Sequence, residues 1–216
     1  SLLFINMTEK VLLTGGAGFI GHQAIKKILE NSDWEILTFD RLSYAGNLKR
    51  IDDIYEEVGD SSRERLNFVY HDLKAPLSDE IINTLNDVTY IVHIGASSHV
   101  TKSVQNPGLF IQDNIVGTFN LLEAARKIKN LKMFYYFSTD EVFGPSDQQD
   151  KFIEWDRYNS KNPYSATKAG GEELTIAYSN TYGLPSLITH CSNVYGERQH
   201  FEKFIPNTIK KILNDD

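Results

Sequence analysis

The chain has 216 residues, 41% hydrophobic and 24% charged, so it is long enough to bury a sizeable core and has a globular composition. Its formal net charge of -7 argues against a general nucleic-acid-binding or membrane-binding surface, but it is compatible with a local cationic pocket for one phosphate group. The single cysteine, Cys191, cannot form an internal disulfide, and the first residues lack a signal-peptide pattern. We therefore expect a reducing, cytoplasmic location and no membrane span, with Met7 as a candidate initiator.

Strand-like and helix-like segments alternate along the chain. The apolar runs predict strands at 11–14, 35–40, 66–70, 90–94, 133–137 and 186–191. Helical periodicity predicts helices from the glycine turn to about 31, a short one near 77–85, a long one at about 107–128 and another at 164–182. Residues 145–163 are polar and carry no period, which predicts a loop over the site.

This alternation predicts an α/β protein with a Rossmann-type, doubly wound parallel sheet and helices on both faces. We assign residues 7–190 to this Rossmann domain. Residues 191–216 are interpreted as the start of a smaller C-terminal substrate domain.

A glycine-rich turn with the spacing GxxGxxG, from Gly15 to Gly21, lies between the first strand and the first helix. Glycine is needed where the backbone turns tightly and approaches a pyrophosphate, whose charge the N–H groups of the helix then meet. Asp40 ends the second strand, where a carboxylate can hold the adenosine ribose hydroxyls and repel a 2′-phosphate. These features favour NAD over NADP, with two alternatives left open: Arg41 could accept the extra phosphate, and Asp40 could be an ordinary strand-end residue. Asp72, after the third strand, could contact the adenine edge or cap a helix.

Two further groups of residues point to proton and hydride chemistry. Tyr164 and Lys168 are four residues apart and so share one helical face, where an ammonium and a positive nicotinamide ring can stabilise a phenolate. Thr139, Asp140 and Glu141 come just after the fifth strand, which places paired carboxylates at the carboxyl edge of the sheet. We assign no metal ligands, and no proton-transfer role to the single histidines.

With these motifs, the chain resembles the extended short-chain dehydrogenase/reductases of the NAD-dependent epimerase/dehydratase family, and among them the nucleotide-sugar 4,6-dehydratases. The matching segments are 14–21 (TGGAGFIG), 40–47 (DRLSYAGN), 97–100 (SSHV), 114–118 (NIVGT), 138–144 (STDEVFG), 164–168 (YSATK) and 191–206 (CSNVYGERQHFEKFIP). Related epimerases and decarboxylases lack the adjacent Asp and Glu at the strand end.

The resemblance implies a role for each catalytic candidate. Tyr164 would remove the proton of the sugar 4-hydroxyl, Lys168 would lower the pKa of Tyr164 and hold the nicotinamide ribose, and Thr139 would hydrogen-bond the same hydroxyl. Asp140 would protonate the departing 6-hydroxyl and Glu141 would take the C5 proton. The expected reaction is therefore transient oxidation at C4 with NAD, loss of water across C5 and C6, and return of the hydride to C6.

The resemblance also implies two sets of ligand-binding residues. Candidates for contact with the sugar nucleotide, a nucleotide-diphospho-hexose, are Ser98, Thr139, Asn193 and Lys203. Candidates for contact with NAD are Gly15, Gly18, Phe19, Ile20, Gly21, Asp40, Arg41, Leu42, Ser43, Asp72, Leu73, Ile94, Ala96, Ser98, Tyr164, Lys168 and Val194. In relatives the long helix and the Tyr164 helix pack as a four-helix interface, so we expect a homodimer.

The chain also departs from this pattern. Ser97 stands where relatives often carry an acid, Thr101 where they often carry an Asp, and Phe201 where a proline is usual. Relatives continue well past the position of Asp216, so we expect either a longer native protein or a fragment. A 4-epimerase and a truncated, non-catalytic NAD-binding module stay open as alternatives, as do the base and the exact hexose of the substrate.

Overall fold

The structure, a computed structural model, describes residues 8–146 and 151–214. Its centre is one six-stranded sheet in which every neighbouring pair of strands is parallel. The strands are β1 Lys10–Thr14, β2 Glu35–Asp40, β3 Leu66–Tyr70, β4 Tyr90–His93, β5 Met133–Thr139 and β6 Ser186–Cys191. Each predicted strand is present within two residues of its expected ends, and β5 is longer than predicted because it includes Ser138 and Thr139.

The strand order across the sheet is β3-β2-β1-β4-β5-β6. After β3 the chain crosses to the other side of β1, so the direction of the order reverses between β1 and β4. Open α/β sheets bind ligands outside the carboxyl ends of the strands at such a reversal. The predicted Rossmann-type fold is confirmed.

Helices cover both faces of this sheet. They are α1 Phe19–Asn31, α2 Lys49–Val58, α3 Asp60–Arg65, α4 Asp79–Asn83, α5 Val100–Gln105, α6 Pro107–Phe110, α7 Gly117–Ala125, α8 Pro163–Tyr182 and α9 Phe204–Leu213. A π-helical segment, Ile111–Val116, joins α6 to α7, and a 3₁₀ turn, Asp140–Phe143, follows β5. In the predicted loop at 145–163, the residues that the structure describes form no helix or strand before α8 begins at Pro163.

The sequence predicted one regular helix at about 107–128, and the structure differs there. The helix ends at Ala125, and its middle widens into the π-helical segment. Two consecutive polar residues, Asp113 and Asn114, are buried in this wider turn. In a regular α-helix their side chains would be separated by a larger angle about the helix axis. Helices α2, α3, α5 and α9 were not predicted. The predicted domain boundary at residue 190 stays a prediction, and Met7 lies outside the described residues.

The core has two layers because successive strand residues point to opposite faces. In β1, Leu12 packs with Phe39 and Phe134 on one face, whereas Val11 and Leu13 pack with residues of α1 and α2 on the other. Both layers leave the carboxyl ends of the strands open for a site. No helix in the described part of the chain is long and apolar enough to cross a membrane.

Candidate active site

The glycine-rich turn is built so that only glycine fits at two of its positions. Gly15 has a φ of +78°, and a Cβ there would lie 2.7 Å from the Cα of Gly95. A Cβ on Gly21 would lie 2.0 Å from the carbonyl oxygen of Gly15. No side chain caps α1 at Gly18, so the N-terminus of this helix keeps N–H groups for a ligand. The turn is therefore shaped as a cradle for a pyrophosphate.

Asp40 ties this turn to the loop after β2. Its Oδ2 accepts a hydrogen bond from the Ala17 N–H at 3.0 Å, and its Oδ1 accepts one from the Leu42 N–H at 2.7 Å. Burial raises the pKa of Asp40, and the two N–H bonds offset part of that effect. Each oxygen keeps acceptor capacity, so the carboxylate can still receive ribose hydroxyls.

Arg41 is engaged with acidic side chains of the protein. Its guanidinium donates to both carboxylate oxygens of Asp113, at 2.6 and 2.5 Å, and lies 3.4 Å from an oxygen of Asp72. Asp72 itself opens a turn by accepting the Lys74 N–H at 3.1 Å. The alternative that Asp72 caps a helix is wrong, because Ser78 caps α4.

The N-terminus of α8 positions the Tyr164 and Lys168 pair. Asn162 and Ser165 form a capping box, and Pro163 occupies the first turn, where its missing N–H costs no hydrogen bond. Lys168 is buried, and its Nζ donates to the carbonyl oxygen of Phe137 in β5 at 2.8 Å. This bond holds α8 against the strand that carries the acidic residues.

Burial shifts the acid–base equilibria of both members of the pair. It lowers the pKa of Lys168 to about 7, against the opposing effect of Glu172. It also raises the pKa of Tyr164 above its usual range; the nearby carboxylates of Glu141 and Asp140 add to this, whereas a hydrogen bond with Thr139 acts in the opposite direction. Tyr164 therefore keeps its proton until positive charge is brought beside it.

The strand end supplies the remaining groups. The Thr139 hydroxyl accepts the Glu141 N–H at 3.3 Å and lies 3.4 Å from Asp140 Oδ1. Glu141 Oε2 accepts a hydrogen bond from Asn162 Nδ2 at 3.1 Å. Thr139 also pairs in register with Cys191 of β6, so the ends of both strands border the same space.

One cavity of about 320 Å³ joins these groups along the edge of the sheet. The predicted residues that line it are Gly15, Gly18, Phe19, Ile20, Gly21, Asp40, Arg41, Ser43, Asp72, Leu73, Ile94, Ala96, Ser98, Thr139, Glu141, Tyr164, Lys168, Asn193, Val194 and Lys203. Two predicted residues are absent from the lining. Leu42 turns the backbone with a φ of +53° and contributes its N–H to Asp40, and Asp140 is exposed beside the cavity.

Sequence reasoning missed several lining residues, among them Asp113, Gln199 and Glu202. Asp113 directly precedes the NIVGT segment, and the other two lie inside the segment 191–206, so the motifs themselves were the signal. In the part of the chain that the structure describes, no cluster of three or more His, Cys, Asp or Glu residues could hold a metal ion.

The fold and the cavity together define a Rossmann-type α/β protein with acid–base groups at the sheet edge. The chain belongs to the family described as GDP-mannose 4,6 dehydratase, whose family model matches residues 12–216, and this confirms the resemblance to the NAD-dependent epimerase/dehydratases.

Individual relatives agree with this assignment. The chain is 38% identical over 221 residues to the dTDP-glucose 4,6-dehydratase of Salmonella typhimurium, covering 94% of this chain and 60% of that protein. The crystal structure of dTDP-glucose 4,6-dehydratase from Streptomyces venezuelae with NAD bound is similar, with a TM-score of 0.86, 34% identity and coverage of 95% of this chain and 62% of that one. A UDP-glucuronic acid 4-epimerase from Bacillus cereus has a TM-score of 0.84 at 28% identity, over 96% of this chain and 64% of that chain. The chain thus spans about 60% of the length of the curated relatives it matches.

Proposed function

We propose that this chain is the nucleotide-binding part of an NAD-dependent nucleotide-sugar 4,6-dehydratase, a hydro-lyase of the type that acts on dTDP-glucose. The observation that carries the proposal is the meeting of Thr139, Asp140 and Glu141 at the end of β5 with Tyr164 and Lys168 at the start of α8. The relatives named as dTDP-glucose 4,6-dehydratases support the choice of substrate.

The residues fit a dinucleotide cofactor. Glycine at positions 15 and 21 lets the turn close tightly, since a Cβ at either would collide with backbone atoms of Gly95 or Gly15. Asp40 lines the same cavity, and we assign the adenosine ribose to it. The chemistry that NAD supplies when bound is the removal of a hydride from C4 of the sugar and its return to C6. Lys168 would hold the nicotinamide ribose, and Asp40 favours NAD over NADP.

The protein's own groups would carry the protons. Tyr164, as the phenolate that the positive charges of Lys168 and bound NAD would stabilise, would accept the proton of the 4-hydroxyl, with Thr139 bonded to the same oxygen, so that C4 becomes a ketone. The ketone makes the C5 proton acidic, and Glu141 removes it. Asp140 donates its proton to the oxygen at C6, the C6–O bond breaks and water departs. Glu141 would then return its proton to C5, which, with the hydride that NAD would supply at C6, completes the 4-keto-6-deoxy sugar.

A 4-epimerase is the second candidate, supported by the structural likeness to the UDP-glucuronic acid 4-epimerase. Reversing the configuration at C4 requires neither an acid at C6 nor a base at C5. The adjacent Asp140 and Glu141, with Glu141 on the cavity lining, therefore favour the dehydratase. A binding module without turnover is the remaining alternative.

Product analysis tests the proposal. The protein is incubated with NAD and either dTDP-glucose or UDP-glucose; mass spectrometry gives the mass of the products, and proton NMR gives the configuration at C4. A dehydratase yields a product lighter by one water, whereas an epimerase changes the sugar without changing its mass. A sugar nucleotide recovered unchanged in both mass and configuration supports the binding module.

We also propose that the protein forms a homodimer through the α6–α7 and α8 surfaces. Large apolar side chains are exposed there and on the neighbouring α5: Val104, Leu109, Ile111, Phe119 and Ile176. Light scattering at micromolar concentration should give the mass of a dimer, and Ile111→Asp with Phe119→Asp should give a monomer. The single cysteine supports a cytoplasmic location, which stays a proposal.

A further inference from the structure

Asp113 and Arg41 form a tight, two-bond ion pair on the wall of the cavity. The two segments that carry them, the π-helical segment and the loop after β2, are far apart in the chain, yet Nη1 and Nη2 of Arg41 each lie within 2.6 Å of one oxygen of Asp113. Only 5% of the Asp113 side chain is exposed. A paired, bidentate geometry with so little solvent fixes the orientation of the guanidinium and cancels its charge.

Ser97 adds a third contact to this carboxylate. Its hydroxyl donates to Asp113 Oδ2 at 2.5 Å, and its N–H donates to the side chain of the neighbouring Asn114 at 2.8 Å. These contacts hold the Asp113 carboxylate in place, facing Arg41.

Arg41 immediately follows Asp40 and lines the same cavity, and an arginine near the ribose-binding carboxylate is what accommodates the 2′-phosphate in enzymes that use NADP. We propose that Asp113 determines cofactor specificity: by holding and neutralising Arg41, it prevents this guanidinium from receiving a 2′-phosphate and so excludes NADP. The inference rests on the proposed function, since it assumes a dinucleotide in this cavity.

Two further cations near Asp40 and Asp72 are also engaged. Arg50 donates to three backbone carbonyls, those of Ala17, Ala45 and Arg198, at 2.6 to 2.9 Å. Lys74 pairs with Asp72 at 3.3 Å. Among these described side chains, Asp40, Asp72 and Asp113 balance Arg41, Arg50 and Lys74 in charge, so the six together offer a phosphate of about two negative charges no surplus of positive charge.

The experiment compares dissociation constants for NAD⁺ and NADP⁺, measured by titration calorimetry, in wild type, Asp113→Asn, Asp113→Ser and the double variant Arg41→Ala with Asp113→Asn. Asp79→Asn, an exposed aspartate in α4, is the control for loss of one negative charge. Either Asp113 replacement should tighten NADP⁺ binding about tenfold or more, since a freed arginine can bond a phosphate bidentately, with little change for NAD⁺. The double variant should lose this gain, and Asp79→Asn should not show it.

Unchanged NADP⁺ affinity in both Asp113 variants would overturn the inference. NAD⁺ binding by the wild type in the same experiment would still support the proposed cofactor. A gain that survives removal of Arg41 would also overturn the inference. If neither Asp113 variant reaches the wild-type circular dichroism spectrum, the residue is part of the fold and not a specificity determinant. A wild type that binds neither dinucleotide contradicts the proposed function itself.

Discussion

The side-chain amide of Asn162 links the helix that carries Tyr164 to the carboxylate of Glu141. Its Oδ1 accepts the Ser165 N–H at 2.8 Å as the cap of α8, and its Nδ2 donates to Glu141 Oε2 at 3.1 Å. One residue therefore both begins the helix and orients the predicted C5 base.

Replacing Asn162 by serine separates these two roles. Serine is a good helix cap but has no amide to reach Glu141, so stability should change little while elimination slows by about ten- to a hundredfold because the base is misplaced. Asn162→Ala should show the same slowing and also lose about 1 kcal/mol of stability. Thermal unfolding and product formation measure the two effects. If Asn162→Ser eliminates water at the wild-type rate, Asn162 does not position Glu141.

Lys168 predicts how the affinity for NAD depends on pH. Its pKa in the free protein is lowered to about 7, so above that pH the amine is mostly neutral and must take up a proton to hold the ribose as an ammonium. NAD binding should therefore take up protons near pH 8 and almost none near pH 5.5, and the affinity should fall as pH rises through 7. Calorimetry in buffers of different ionisation enthalpy measures this uptake. Tyr164→Phe should retain this proton uptake, and Lys168→Met should abolish it. If the uptake persists in Lys168→Met, a group other than Lys168 takes up the proton.

The strands and the glycine turn could be predicted because both depend on local pattern: largely apolar runs of four to six residues, and glycines whose spacing fixes a tight turn. Helix α2 could have been predicted as well, since Ile51, Ile54, Tyr55 and Val58 follow helical spacing. The pairs Arg41–Asp113 and Glu141–Asn162 could not. They join side chains 72 and 21 residues apart, and their contact depends on how the chain crosses the sheet. The π-helical turn that aims Asp113 has no signature in the sequence either.

Glu172 predicts a large and specific loss of stability. It is fully buried on α8, one turn beyond Lys168, and accepts hydrogen bonds from the hydroxyls of Ser138 and Tyr158 and from His190 Nε2 at 2.8 Å. Glutamine offers one acceptor oxygen in place of two and turns an amide group toward a donor. Glu172→Gln should lower the free energy of unfolding by about 2–4 kcal/mol. The neighbouring, exposed Glu173 is the matched control, and Glu173→Gln should change it by less than about 0.5 kcal/mol. Denaturant titration measures both, and equal values for the two variants would contradict the importance of the buried contacts.

The two carboxylates at the end of β5 predict that oxidation and elimination can be separated. If Tyr164 and Thr139 act at C4 while Asp140 and Glu141 act at C6 and C5, the double variant Asp140→Asn with Glu141→Gln should still oxidise a bound sugar nucleotide. Loss of a general acid or base slows its step by about a hundred- to ten-thousandfold, so a single turnover should accumulate the absorbance of reduced nicotinamide and a 4-keto sugar that keeps its oxygen at C6.

Three further variants complete this test. Tyr164→Phe should prevent the absorbance from forming at all, because the 4-hydroxyl proton then has no acceptor, and Glu173→Gln should behave as wild type. Asp140 is exposed beside the cavity whereas Glu141 lines it, so Glu141→Gln alone should already stop the loss of water. Release of the dehydrated product by the double variant at nearly the normal rate would show that these carboxylates are not the elimination pair, and would place the chain nearer the 4-epimerases.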